Sequence, residues 1–250
     1  MERQSWCLND AKMRLADNNR ERLYVIGDIH GRVDLLDRMI KEIDRDLENS
    51  PTDSGLTVTI GDYVDRGPNS RSVVDRLAHN PFPTEFIALR GNHDELFETF
   101  LQNPSVADAW RRLGGLETLH SYGVPIKDLM HGKNYAAAAA ALKASLPQAH
   151  LQFFASLREC LPAGNYFLCH AGVRPGIPLP QQYREDLLWI REPFLSSKSN
   201  FGKIIVHGHT PVQKPEVLAN RINIDTGAYI TGRLTCAVLE KKEVRFLSVS

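Results

Sequence analysis

Five short apolar runs in this chain each break off at a turn that delivers an Asp, an Asn or a His. LYVI (23–26) runs into GDIHG (27–31), LTVTI (56–60) into GDYVDRG (61–67), and EFIALR (85–90) into GNHD (91–94). Later, YFLC (166–169) runs into HAG (170–172), and KIIV (203–206) into HGHT (207–210). Apolar and β-branched runs of this length read as buried strands. Ligands of open α/β sheets bind beyond the C-terminal ends of the strands. A fold that places these runs in sheets therefore gathers all five turns at one edge.

The intervening segments support such a fold. Val33, Leu35, Leu36, Met39, Ile40, Ile43 and Leu47 recur at helical spacing. A second helix is predicted over 70–78 and a third from His93, so the first half reads strand–helix–strand–helix–strand. Residues 94–160 read as mostly helical, with breaks at Pro104, Gly114-Gly115, Gly123 and Pro147. The alanine run at 136–141 reads as helix, because alanine is the best helix former. INI (222–224), LTCAVL (234–239) and VRFLSV (244–249) add strands. The expectation is one α/β domain over 21–250, with an N-terminal extension at 1–20 and a helical insertion at about 100–160.

Composition excludes several function classes. With 30 Lys plus Arg against 30 Asp plus Glu, bulk electrostatics would hold this chain to neither nucleic acid nor anionic lipid. No apolar run approaches the roughly 18 residues of a membrane span. The first twenty residues contain no apolar core of a secretory signal. Cys7, Cys160, Cys169 and Cys236 show no CxxC spacing, which suits a reducing compartment and a cytoplasmic protein.

Taken singly, each polar turn could be a helix cap or a loop. Together they supply Asp28, His30, Asp62, Asn92, His170 and His209, a mixed oxygen and nitrogen donor set for divalent ions. Six donors exceed what one catalytic metal with an open position needs, and suit two metals sharing a carboxylate.

GDIHG, GDYVDRG, GNHD, HAG and GHT, in this order, resemble the phosphoprotein phosphatase family of calcineurin-like metallophosphoesterases, most closely its bacterial and phage branch. The resemblance spans residues 27 to about 228. It implies an αββα sandwich with a dinuclear centre between two sheets. It also implies that Asp28 and His30 hold a first metal, that Asp62 bridges, and that Asn92, His170 and His209 complete the second. His93 matches the family's general acid, Asp65 the carboxylate that orients it, and Arg66 a phosphate-binding arginine; Arg191, in LLWIREPF, matches a second one on a shorter motif. Asn92 would also face the phosphate. Manganese is the ion the bacterial branch suggests, with iron and zinc compatible. Pro211 stands where other metallophosphoesterase branches carry the second His of GHxH, which favours the phosphoprotein phosphatase branch.

Outside these motifs, His207 reads as support for His209, Arg174 as a surface residue and Tyr229 as a loose match near the site. His79, His120, His131 and His150 read as structural or exposed. Residues 110–124, WRRLGGLETLHSYGV, read either as a hairpin covering the sheet or as a cap over substrate entry. The activity expected is hydrolysis of phosphoserine and phosphothreonine in proteins. The alternative is a symmetrical diadenosine tetraphosphate hydrolase or other nucleotide phosphohydrolase, and Asp65 tilts away from it. A pseudophosphatase that binds phosphorylated partners would show a lost ligand or acid, and none is lost.

Overall fold

The computed structural model describes residues 22–52, 54–241 and 243–250. The extension at 1–20, with Cys7, lies outside the described residues. In chain order the elements are β1 (Arg22–Ile26), α1 (Val33–Asn49), β2 (Gly55–Thr59), α2 (Ser70–Leu77), β3 (Glu85–Ala88) and α3 (Asn92–Gln102). Five helices follow: α4 (Ala107–Arg112), α5 (Gly115–Ser121), α6 (Lys127–Met130), α7 (Tyr135–Ser145) and α8 (Gln148–Ser156). The remainder is β4 (Cys160–Ala163), β5 (Tyr166–Cys169), α9 (Arg184–Trp189), β6 (Ile204–His207), β7 (Glu216–Val217), β8 (Arg221–Asn223), α10 (Ala228–Thr231), β9 (Leu234–Glu240) and β10 (Glu243–Val249).

The strands form two mixed five-stranded sheets, ordered β10-β9-β1-β2-β3 and β4-β5-β6-β8-β7. β1, β2 and β3 run parallel, as helical crossovers require, and β9 and β10 close that sheet antiparallel. In the second sheet β5, β6 and β8 run parallel. Alternation along β1 builds two cores at once. Leu23 and Val25 face the second sheet, against Leu168, Val206 and Ile222. Tyr24 and Ile26 face the helices, against Leu36, Met39 and Ile43 of α1. Phe167, Cys169 and Ile205 face outward from the second sheet onto Leu187 and Phe194. The expected αββα sandwich is the fold observed.

Trp110, Leu119, Leu142 and Phe153, on helices α4, α5, α7 and α8, and Tyr122 just after α5 share the core on the outer face of the first sheet. The alanine run lies within α7 as expected. β4 was missed because CLPA carries Pro162 and sits at the end of a helical stretch. It is an edge strand, where a proline that cannot donate to the ladder is tolerated. Among the described residues no helix is long and apolar enough to cross a membrane. Cys169 and Cys236 are buried free thiols.

One half-buried polar knot ties α1 to the first sheet. Asp46 accepts from Tyr24 Oη at 2.7 Å and from Arg245 at 2.6 Å. Burial opposes its ionisation, but these bonds outweigh burial and hold the Asp46 carboxyl below the usual range. A depressed folded-state pKa contributes stability above the unfolded carboxylate's range and loses it as pH falls through the folded value. Asp46→Asn is expected to cost about 1 kcal/mol in urea unfolding at pH 7. The gap between variant and parent should close as pH falls below the ordinary carboxylate range; a gap that widened in acid would contradict this account.

Candidate metal centre

The five polar turns meet at the C-terminal ends of β1, β2, β3, β5 and β6. Asp28, His30, Asp62, Asn92, His93, His170 and His209 are all buried. Among the described residues two groups of donors converge, His30–Asp62–His93 and Asp62–His170–His209, each with its ligand atoms within 4.8 Å of one another. Asp62 belongs to both. Its Oδ2 lies 3.3 Å from His30 Nε2, and its Oδ1 lies 3.5 Å from His170 Nε2. Asn92 Oδ1 lies 2.9 Å from His170 Nε2 and 2.8 Å from His209 Nδ1. Asp28 stands beside these groups rather than within them, accepting the His209 backbone N–H at 3.1 Å.

Hydrogen bonding sets which imidazole atoms are free to bind a metal. His30 Nδ1 donates to Val64 O at 2.9 Å and His170 Nδ1 to Ile60 O at 2.9 Å, so each Nε2 lone pair faces the centre. Burial pushes the His170 and His209 pKa values down, keeping both rings neutral as ligands require. For Asp62, burial opposes ionisation, but the facing imidazoles of His170, His93 and His30 hold it well below the usual carboxylate range. For Asp28, burial and then the charges of Asp225 and Asp62 push the pKa well above that range. Such a concentration of buried carboxylates calls for positive charge, which divalent ions would bring. His209 Nε2 is buried without a partner. Donor types, fixed tautomers and excess negative charge together fit a two-metal centre.

The backbone here is bent into conformations that side chains other than glycine rarely adopt. His30, Asp62, Asp65, Arg66 and His209 have φ between 45° and 71°. Each such residue costs on the order of 1–3 kcal/mol and persists only where its surroundings over-determine it. Asp94 provides part of that determination. Its buried carboxylate accepts from the backbone N–H groups of Asp62, Tyr63 and Gly91 at 2.8, 3.1 and 2.9 Å, tying the second turn to the third. Gly91 is required by contact. A Cβ there would lie 2.1 Å from Asp62 Oδ1 and 2.3 Å from the Asp62 backbone N. Gly91→Ala is expected to cost about 2–3 kcal/mol by thermal unfolding. Parental stability would show instead that the Asp62 turn can move aside.

His93 Nδ1 lies 2.7 Å from Asp65 Oδ2. Burial lowers the His93 pKa, but Asp62 and Asp65 more than offset it, leaving it above the ordinary imidazole value. Arg66, half-buried, reaches His30 Nε2 at 3.2 Å and His93 Nε2 at 2.9 Å. The Tyr229 ring lies beneath its guanidinium, 4.5 Å away, so Tyr229 does reach the site. Arg191 is exposed at the rim, where its charge acts on His209. Arg174 is engaged by Asp186 at 2.8 Å, which anchors α9. His207 packs edge-on to Phe194 and is pushed by burial to about 3. His79, His120 and His131 are exposed, and His150 bonds Tyr122 and Asp75.

Two carboxylates and two insertion residues escaped the sequence reading as site residues. Asp225 follows a strand within NIDTG, the same strand-end signature as the other five turns, so a signal was present. Asp94 stood inside a quoted motif without a role. Trp110 and Thr118 both contact Asp65, and no local pattern marks them.

A two-sheet sandwich carrying converging Asp, Asn and His donors at its strand ends defines a metal-dependent phosphoesterase. The chain belongs to the calcineurin-like phosphoesterase family, whose model matches residues 21–245. It is a hydrolytic enzyme. Bis(5'-nucleosyl)-tetraphosphatase PrpE [asymmetrical] of Anoxybacillus flavithermus is 27% identical over 90% of this chain and 92% of its own length. Serine/threonine-protein phosphatase 1 of Salmonella typhimurium is also 27% identical, over 91% of this chain and 96% of its own. The crystal structure of a protein provisionally named a diadenosine tetraphosphatase superposes with a TM-score of 0.64 at 20% identity, covering 94% of this chain and 96% of the other. That likeness shows the fold alone.

Proposed function

We propose that the chain is a dinuclear-metal phosphomonoesterase that removes phosphate from phosphoserine and phosphothreonine in proteins. Asp28 and His30 would hold the first ion, Asn92, His170 and His209 the second, and Asp62 both. When bound, two divalent ions, manganese in our reading, would supply Lewis acidity that lowers the pKa of a bound water and offsets charge on the phosphoryl oxygens. Arg66 would turn from the two imidazoles to grip those oxygens through its fork, with Tyr229 limiting its swing. Arg191 would close on the phosphate from the rim, and the Asn92 amide would face it from below. His93 would pass a proton from Nε2 to the departing oxygen, while Asp65 receives the Nδ1–H bond and stabilises the imidazolium.

The buried His93–Asp65 pair carries this reading. A serine or threonine alkoxide is strongly basic and leaves poorly without a proton. A nucleotide leaves as a stable anion near neutral pH and needs an acid far less. A built acid therefore favours alkyl phosphate esters. The second reading, a dinucleotide polyphosphate hydrolase, draws support from relatives named as tetraphosphatases, whose printed names specify asymmetrical rather than symmetrical cleavage. Assaying phosphopeptides, diadenosine tetraphosphate and an aryl phosphate side by side with manganese tests both. Phosphopeptides are expected to have the highest kcat/KM; a strong preference for the dinucleotide would overturn the first reading.

A further inference from the structure

Asp65 is gripped from outside the catalytic turns. Its Oδ2 accepts from Trp110 Nε1 at 2.8 Å as well as from His93. Its Oδ1 accepts from Thr118 Oγ1 at 2.7 Å, and the same hydroxyl receives Asp65's backbone N–H at 2.8 Å. Thr118 thus clips both ends of a residue whose φ is 71°. Asp65 and these three partners are all buried. An indole N–H can only donate, so Asp65 Oδ2 is the acceptor of that bond. His93 Nδ1 faces the same oxygen, so Nε2 is the atom turned toward the metal donors.

The paired glycines explain how the insertion comes this close. A Cβ on Gly114 would lie 2.4 Å from Arg66 N, and one on Gly115 would lie 2.4 Å from the Trp110 ring. Gly114 O also accepts the Arg66 backbone N–H at 3.2 Å. Phe100, its ring centre 4.7 Å from that of Trp110, backs the indole.

We propose that Trp110 and Thr118 are positioning residues for proton transfer, so that residues 110–118 act as a brace on the Asp65–His93 pair rather than as a cap over substrate entry. The proposal rests on His93 being the general acid. Trp110→Phe keeps the ring and removes the N–H; Thr118→Val keeps the shape and removes the hydroxyl; Thr118→Ser restores it. On a phosphoserine peptide, Trp110→Phe and Thr118→Val are each expected to lower kcat about tenfold, with KM within about twofold. On an aryl phosphate, whose leaving group needs little protonation, the loss should be less than about threefold. Thr118→Ser should recover most of the loss. In a His93→Ala background the Trp110 change should have no further effect.

Nitrogen-15 labelling of the indoles supplies a readout apart from turnover. The Trp110 N–H resonance is expected to shift on Asp65→Asn while the other indole resonances hold still. Equal losses on both esters, additive losses with His93→Ala, or an unmoved indole resonance would overturn the brace. If His93→Ala itself slows both esters equally, the acid assignment fails and the brace falls with it. If His93→Ala discriminates between the esters and Trp110→Phe does not, the brace alone fails.

Discussion

Replacing Asp62 with asparagine is expected to lower turnover by about a thousandfold, the scale of losing roughly 4 kcal/mol of transition-state charge stabilisation. The substitution keeps shape and removes charge from the one side chain common to both donor groups. The His93 backbone N–H, which Asp62 Oδ1 accepts at 3.0 Å, can still be accepted by the amide oxygen of the variant. Loss of folding is therefore not the expected outcome. Bound metal should fall from two ions per chain to one or fewer by elemental analysis. Manganese should also stabilise the parent against heat, by about 2.7 kcal/mol at a hundredfold excess over Kd, and the variant much less. A variant that retained two ions and near-parental thermal stabilisation would contradict the shared-carboxylate assignment.

His93→Ala should reduce kcat on phosphoserine peptide by about 100- to 10,000-fold, the range of a positioned general acid, while KM changes only a few-fold. Metal content should be unchanged, which separates this variant from Asp62→Asn. The asymmetry between substrates is the sharper measurement. An aryl phosphate should retain far more activity than an alkyl one, because its leaving group departs without a proton. Undiminished hydrolysis of phosphopeptide would remove His93 from the mechanism. Arg66 offers a contrast, since its loss should raise KM for phosphate esters by weakening contacts made in ground and transition states alike.

Much of this centre was legible before folding. The turn after each strand is local, and a strand's side chains alternate by a local rule, so Asp28, His30, Asp62, Asn92, His170 and His209 could be gathered from their positions at strand ends. The expectation of metal-ligand chemistry follows from residue type alone. Boundaries moved by a residue or so: β2 begins at Gly55 and α3 at Asn92. β4 was hidden because its proline argues against a strand wherever the edge position is unknown. The insertion was legible as helix and illegible as to purpose. Its purpose lies in the Trp110 and Thr118 contacts to Asp65, separated by 45 and 53 residues.

The order and chemistry of the donor turns, the α/β alternation of the first half and the neutral overall charge were determined by sequence alone, because each depends on residue type or short-range spacing. Folding decided the rest. Stacking two sheets brings Asp225 against Asp28, and turns a neutral chain into one with carboxylates concentrated at a single edge. Packing α4 and α5 against the GDYVDRG turn converts a helical covering into a hydrogen-bonded brace. Such contacts join elements distant along the chain, and their existence depends on how layers stack, which no local periodicity records.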